Sequence, residues 1–231
     1  MIGLLLGATA GLAAAPPLRA AAARYAVPYG EPLRVCDCGT AHRWLPPSAR
    51  CPRTGAPGGP APLAVELVAV GVGAAIGAAA SWPIGLLLAW TGLLGVVLGF
   101  VDAAERRLPD ALTLRLALGT AVLLPLAALL DHRPAVLTRC LLAALVLGAV
   151  YGTLALLAPM GFGDAKLAPA LGALLAWYGW PAVYTGVFAG FLCAALWGGL
   201  LLLTGRAKAG HQLAFGPCML LGALLAVLSA R

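Results

Sequence analysis

Eight acidic residues are spread over 231 positions, few enough to weigh one by one. Glu31 and Asp37 lie in a polar stretch, Glu66 opens an apolar run, and Asp131 ends another. Asp102, Glu105 and Asp110 cluster after a third run, and Asp164 stands in Met160-Gly-Phe-Gly-Asp-Ala-Lys166. Asp102 directly follows Gly-Phe-Val, with no polar residue separating it from the apolar run. A carboxylate so placed in a membrane is costly unless paired or functional. Two of them on one side suggest a dyad, because two carboxylates held close together share one proton. The ionised member can take a proton from water while its protonated partner polarises a peptide carbonyl. That is aspartic proteolysis, which needs neither a metal nor a nucleophilic side chain. Gly161 and Gly163, flanking Phe162, would let the backbone bend sharply and approach a substrate strand. Position alone fits two interfacial acids at helix ends equally well. Spacing therefore leads to a candidate pair, Asp102 and Asp164, and stops there.

The elements that must carry these residues are membrane helices. The chain is 62% hydrophobic and 10% charged, with a mean hydropathy of +0.96. A soluble domain needs far more polar surface, so the bilayer is the solvent for most of it. The formal charge of +7 fits basic inner loops, and no basic stretch is interleaved with aromatics, so nucleic acid is set aside as a partner. Apolar runs fall at Ile2–Leu18, Leu63–Ser81, Ile84–Val101, Thr113–Leu130, Val136–Leu157, Leu167–Trp180, Ala182–Leu203 and Leu213–Ala230. They predict an all-α polytopic protein of about eight spans, divided by Pro and Gly punctuation. Residues 1–18 form a first helix, 19–62 a cytoplasmic loop, and 63–231 a seven-helix membrane domain. The first run lacks a positively charged start, so it reads as a retained helix rather than a secretory signal.

Twelve of the 15 Lys and Arg fall on one side if both termini face out. They are Arg19, Arg24, Arg34, Arg43, Arg50, Arg53, Arg106, Arg107, Arg115, Lys166, Arg206 and Lys208, leaving Arg133, Arg139 and Arg231 outside. This orientation puts Asp102 and Asp164 at the same, cytoplasmic, boundary.

Gly161-Phe-Gly-Asp-Ala-Lys166 resembles the GxGDxK signature of the prepilin peptidase family of intramembrane aspartic proteases. Phe100-Val-Asp102, followed six residues later by Leu108-Pro109, resembles the family's other aspartate motif, and Phe215-Gly-Pro217 its segment opening the last helix. By that correspondence Asp102 and Asp164 are the catalytic pair, with Gly161, Gly163, Lys166 and Pro109 as motif support. Lys166 balances or orients the pair, or is simply an inner anchor. Asp110 reads as a helix cap, Glu105, Arg106 and Arg107 as a solvated loop face. Glu66 matches a family acid at the start of the second helix, and capping explains it equally.

The resemblance extends to the first loop, where bacterial members carry two Cys pairs that bind zinc. Here stand Cys36-Asp-Cys38, His42 and Cys51-Pro-Arg-Thr54, with Thr54 in place of a final Cys. Two readings stay open: a zinc site of Cys36, Cys38, His42 and Cys51, or a decayed loop of free thiols in a reducing cytoplasm. Bifunctional members also N-methylate the mature pilin with S-adenosylmethionine. Ala14-Ala-Pro-Pro-Leu-Arg19 departs from their first helix, and no Gly-rich nucleotide loop is visible. These departures argue against methyl transfer and an S-adenosylmethionine site.

The resemblance thus implies an inner-membrane endopeptidase that removes the basic leader of type IV prepilins or pseudopilins on the cytoplasmic side. Proteolysis would need no cofactor, and its partners would be the prepilin and the bilayer. A small transporter with both aspartates on an ion path would want more polar residues within the spans than Thr91, Thr120, Thr153 and Thr185. An inactive pilin-binding relative would not need the intact GFGDAK.

Overall fold

A computed structural model describes residues 1–157, 160–205 and 213–230. Arg206, Lys208 and Arg231, used in the orientation reading, lie outside the described residues. Among those described, the chain forms eight α-helices and no strand, apart from an isolated bridge between Arg50 and Pro57. The chain is an all-α polytopic membrane protein. Five helices are long and apolar enough to cross a bilayer: α1 (Ile2–Tyr25), α3 (Gly85–Glu105), α4 (Asp110–Leu130), α5 (Val136–Leu157) and α7 (Trp180–Leu203). Helices α2 (Ala64–Ala79) and α8 (Gly216–Ser229) are apolar but shorter. Helix α6 (Phe162–Tyr178) has 17 residues. Large side chains such as Leu126, Leu145, Phe188 and Leu196 lie exposed on the long helices, the arrangement a hydrocarbon solvent requires.

The chain divides into two compact units, Met1–Pro109 and Asp110–Arg231. In the first, α1 and α2 pack along their length because small residues face each other. Gly3, Gly7 and Gly11 oppose Gly77, Gly73 and Ala69, so closely that an added Cβ would strike backbone. Helices without a hydrophobic force between them associate through such small-residue seams. Ala15, Val65, Ala69 and Val96 then form a core joining both helices to α3, with Phe100 against it.

Helix α1 continues through Pro16-Pro17 to Tyr25, seven residues past the expected end at Leu18. Ala20 to Ala23 are strong helix formers, and the Pro16 carbonyl receives Leu45 N–H at 3.3 Å. The loop folds back onto this extension, with Leu45 packed on Ala20 and Ala23. Arg19, expected in the polar loop, is instead helical and fully buried.

In the second unit α6 is the central helix. It packs against α4, α5, α7 and α8, and nearly every residue from Leu167 to Trp177 is buried. Arg139 of α5 closes its far end, donating to the carbonyls of Ala176 (2.7 Å) and Trp177 (3.1 Å). The Ala176 carbonyl also accepts the Gly179 N–H at 3.1 Å, so the guanidinium adds to the capping of a helix C-terminus.

Candidate active site

Each candidate aspartate is fixed by a helix end. Helix α3 runs to Glu105, so Asp102 lies inside its last turn rather than just beyond it. Arg106 ends the helix in the left-handed region (φ 53°) and returns its N–H to the Asp102 carbonyl at 2.7 Å. Asp102 is 4% exposed and shares a buried face with Leu98, Gly95 and Thr91, the residues three to four apart that align on one side. Pro109 is also buried and ends the first unit.

Helix α6 starts at Phe162, five residues earlier than the apolar run suggested. Asp164 is therefore its third residue, with its N–H bonded to the Gly161 carbonyl at 3.0 Å. The first turn is where a carboxylate sits most favourably in the helix field. Asp164 is 6% exposed. A Cβ on Gly161 would lie 3.3 Å from Asp164 Oδ2, so the glycine leaves room for the carboxylate as well as for the turn. Gly163 falls within the same turn.

Lys166 reaches Asp110 at the start of α4, Nζ to Oδ1 2.5 Å. Asp110 opens that helix as expected, and its carbonyl accepts the Thr113 hydroxyl at 3.2 Å. Phe215 is buried beside Tyr151 and Phe191, with ring centroids 6.2 and 5.1 Å away. Pro217 occupies the opening of α8, where a missing N–H costs nothing.

The structure also gathers the loop residues. The ligand atoms of Cys36, Cys38, His42 and Cys51 all lie within 4.8 Å of one another. Cys38 Sγ is 3.8 Å from Cys51 Sγ, and His42 Nε2 lies 3.4 and 3.3 Å from them. Tetrahedral zinc with bonds of about 2.3 Å to sulfur and about 2.0 Å to nitrogen has edges of about 3.8 and about 3.5 Å. Cys38, His42 and Cys51 fit that shape, with Cys36 within 4.8 Å of them. Hydrogen bonds from Cys36 and Thr54 pull the Cys51 thiol down to about 5, and Cys51 and Cys38 raise His42. Thr54 itself borders the cluster, its hydroxyl 3.9 Å from Cys36 Sγ.

Sequence reasoning missed the pairing of Arg19 with Glu66. Both are buried; Arg19 Nε donates to Oε1 at 3.3 Å and Nη2 binds Oε2. Arg19 Nη1 also donates to the carbonyls of Pro60 and Ala61, each at 3.1 Å. Glu66 is thus held by an ion pair rather than acting as a cap. The available signal was an arginine closing one apolar run and an acid opening the next.

Residues 86–199 match the type IV leader peptidase family. Prepilin leader peptidase/N-methyltransferase from Aeromonas salmonicida strain A449 is 35% identical over 147 residues, covering 62% of this chain and 48% of the relative. The protein of the same description from Aeromonas hydrophila matches to the same extent. The chain spans about half the length of these curated relatives. No solved structure matches it. Residues 86–199, about half of the chain, hold Asp102 and Asp164 alike and carry its likeness to the type IV leader peptidase family.

Proposed function

We propose that the chain is an inner-membrane aspartic endopeptidase that cleaves the basic leader of type IV prepilins or pseudopilins, with Asp102 and Asp164 as its working pair. The observation that carries the reading is the burial of both aspartates at helix ends within the stretch that matches the family. The two carboxylates would share one proton. The ionised member takes a proton from water as the water oxygen bonds to the scissile carbonyl carbon. The protonated member gives its proton to the carbonyl oxygen. Collapse of the tetrahedral intermediate breaks the C–N bond and returns a proton to the leaving amine.

Both termini face out in this reading, which puts the pair on the cytoplasmic side with most of the arginines. Cys36, Cys38, His42 and Cys51 would hold a structural zinc ion apart from the chemistry. Only the peptidase half of the relatives' name is proposed here, since the loop and first helix depart from the pattern of bifunctional members.

The test is co-expression with a prepilin, read by gel mobility and N-terminal sequencing, with membrane abundance checked for each variant. Asp102→Asn and Asp164→Asn should each abolish processing. Asp131→Asn should retain it, since Asp131 lies at the other end of α4 in an exposed pair with Arg133. Cleavage persisting in either of the first two variants would sink the mechanism.

A further inference from the structure

Where α1 ends, the first unit carries a segment in which large apolar and basic side chains are exposed side by side. After Tyr25 the chain turns back, and Arg34 N–H bonds to the Arg24 carbonyl at 3.0 Å. That bond brings Arg34 back beside the last turn of α1. Arg107, at the end of α3, sits 6.0 Å over the Tyr29 ring and holds the segment from the other side. Within it Tyr29 is 90% exposed and Val35 56% exposed, and Leu33 is exposed too. Large apolar side chains facing water for no packing reason mark a surface with a partner.

The charge beside them is basic. Arg24 and Arg34 edge a cavity of about 320 Å³, floored by Leu45, Ala20 and the Cys36–Cys51 cluster. Among the described residues neither guanidinium has a carboxylate within ion-pair distance. Asp37 lines the same cavity and Glu31 lies in the segment, so the patch is mixed rather than uniformly positive. From Ala20 to Ala61 the sequence still holds five arginines against these two acids. A basic leader peptide would be repelled by that excess, whereas a phosphate would be attracted.

We propose that this segment lies in the headgroup layer of an anionic phospholipid membrane, with Arg24 and Arg34 binding a lipid phosphate and Tyr29, Leu33 and Val35 entering the interface. Arginines beside a membrane helix bind anionic lipid in this way, and aromatic rings favour the headgroup level. The loop is thereby fixed on the bilayer surface, independently of what the aspartates do.

The full chain would be placed in nanodiscs of phosphatidylcholine alone, or of phosphatidylcholine with phosphatidylglycerol. Amide hydrogen exchange of residues 26–38 is the readout. Phosphatidylglycerol should slow exchange in this stretch, and high salt should reverse the effect. In Arg24→Gln/Arg34→Gln the lipid's effect should shrink about tenfold, the loss of two screened arginine–phosphate contacts. Arg34→Gln alone, on an exposed loop residue, serves should Arg24→Gln fray the helix end. Unchanged exchange of α2 and α3 shows that each variant is folded. Equal exchange in both kinds of disc would overturn the proposal. So would equal slowing by free glycerol phosphate in phosphatidylcholine discs, since the site would then take a soluble anion.

Discussion

Gly161 shows how a single missing atom can serve a carboxylate. An added Cβ would press on Asp164 Oδ2 from 3.3 Å, and a shift of a few tenths of an ångström in a catalytic group is felt strongly in rate. Gly161→Ala should therefore fold normally and lower prepilin processing by about tenfold. Gly152→Ala, where a Cβ meets nothing within 4 Å, should leave it unchanged, and time courses of the two would separate the cases. Equal rates would mean that the carboxylate has room to spare. At this scale the sequence was a good guide to which residues matter and a poor one to their partners. Asp164 and Gly161 stand out through motif and spacing. Lys166, by contrast, bonds Asp110, which is 56 residues away, and no local pattern reports a contact across that separation.

Among the elements, the joint between α1 and α2 rests on Arg19. Four hydrogen bonds from one guanidinium tie α1 to Glu66 of α2 and to the carbonyls that end the loop. Removing one partner of a buried ion pair strands the other, which typically costs about 3–5 kcal/mol. Arg19→Met should destabilise the protein by about that much in thermal unfolding in detergent. The double variant Arg19→Met/Glu66→Met should recover most of the loss, since no charge is then left buried. A double variant as unstable as the single one would show that the carbonyl bonds, not the pair, hold the joint. Hydropathy located every helix but misplaced several ends, two of them by five residues or more and for related reasons. Helix α1 outlasts its apolar run because alanines and a buried arginine extend it. Helix α6 begins before its run because Phe162 to Lys166 are helical although polar residues sit among them.

For the whole molecule, composition specified a membrane protein, because so apolar a chain has no other solvent, and the length of its apolar runs made it all-α. The one large polar segment is the loop after α1, and there the sequence named four candidate ligands without saying whether they meet. They do meet, because Leu45 docks on α1 and carries the His42 region toward Cys36 and Cys51. If these residues hold zinc, purified protein should contain about one ion per chain. Chelation should then open residues 26–62 to protease while the helices stay intact, because metal binding and local folding are one equilibrium. His42→Ala should lose the metal. Metal-free protein with a protease-resistant loop would leave the cluster as thiols alone.

The burial of α6 has a consequence for how the protein is made. This helix has 17 residues, carries Asp164, Lys166 and Pro169, and turns nearly all its length toward protein. A segment so short and so polar at one end is poorly equipped to enter a bilayer alone during synthesis. Its neighbours α5 and α7 are long and strongly apolar. They can insert first and receive it between them, so the helix bearing Asp164 would be among the last to reach its final depth. Damage to either neighbour would then surface as a defect of biogenesis, with Asp164 itself untouched.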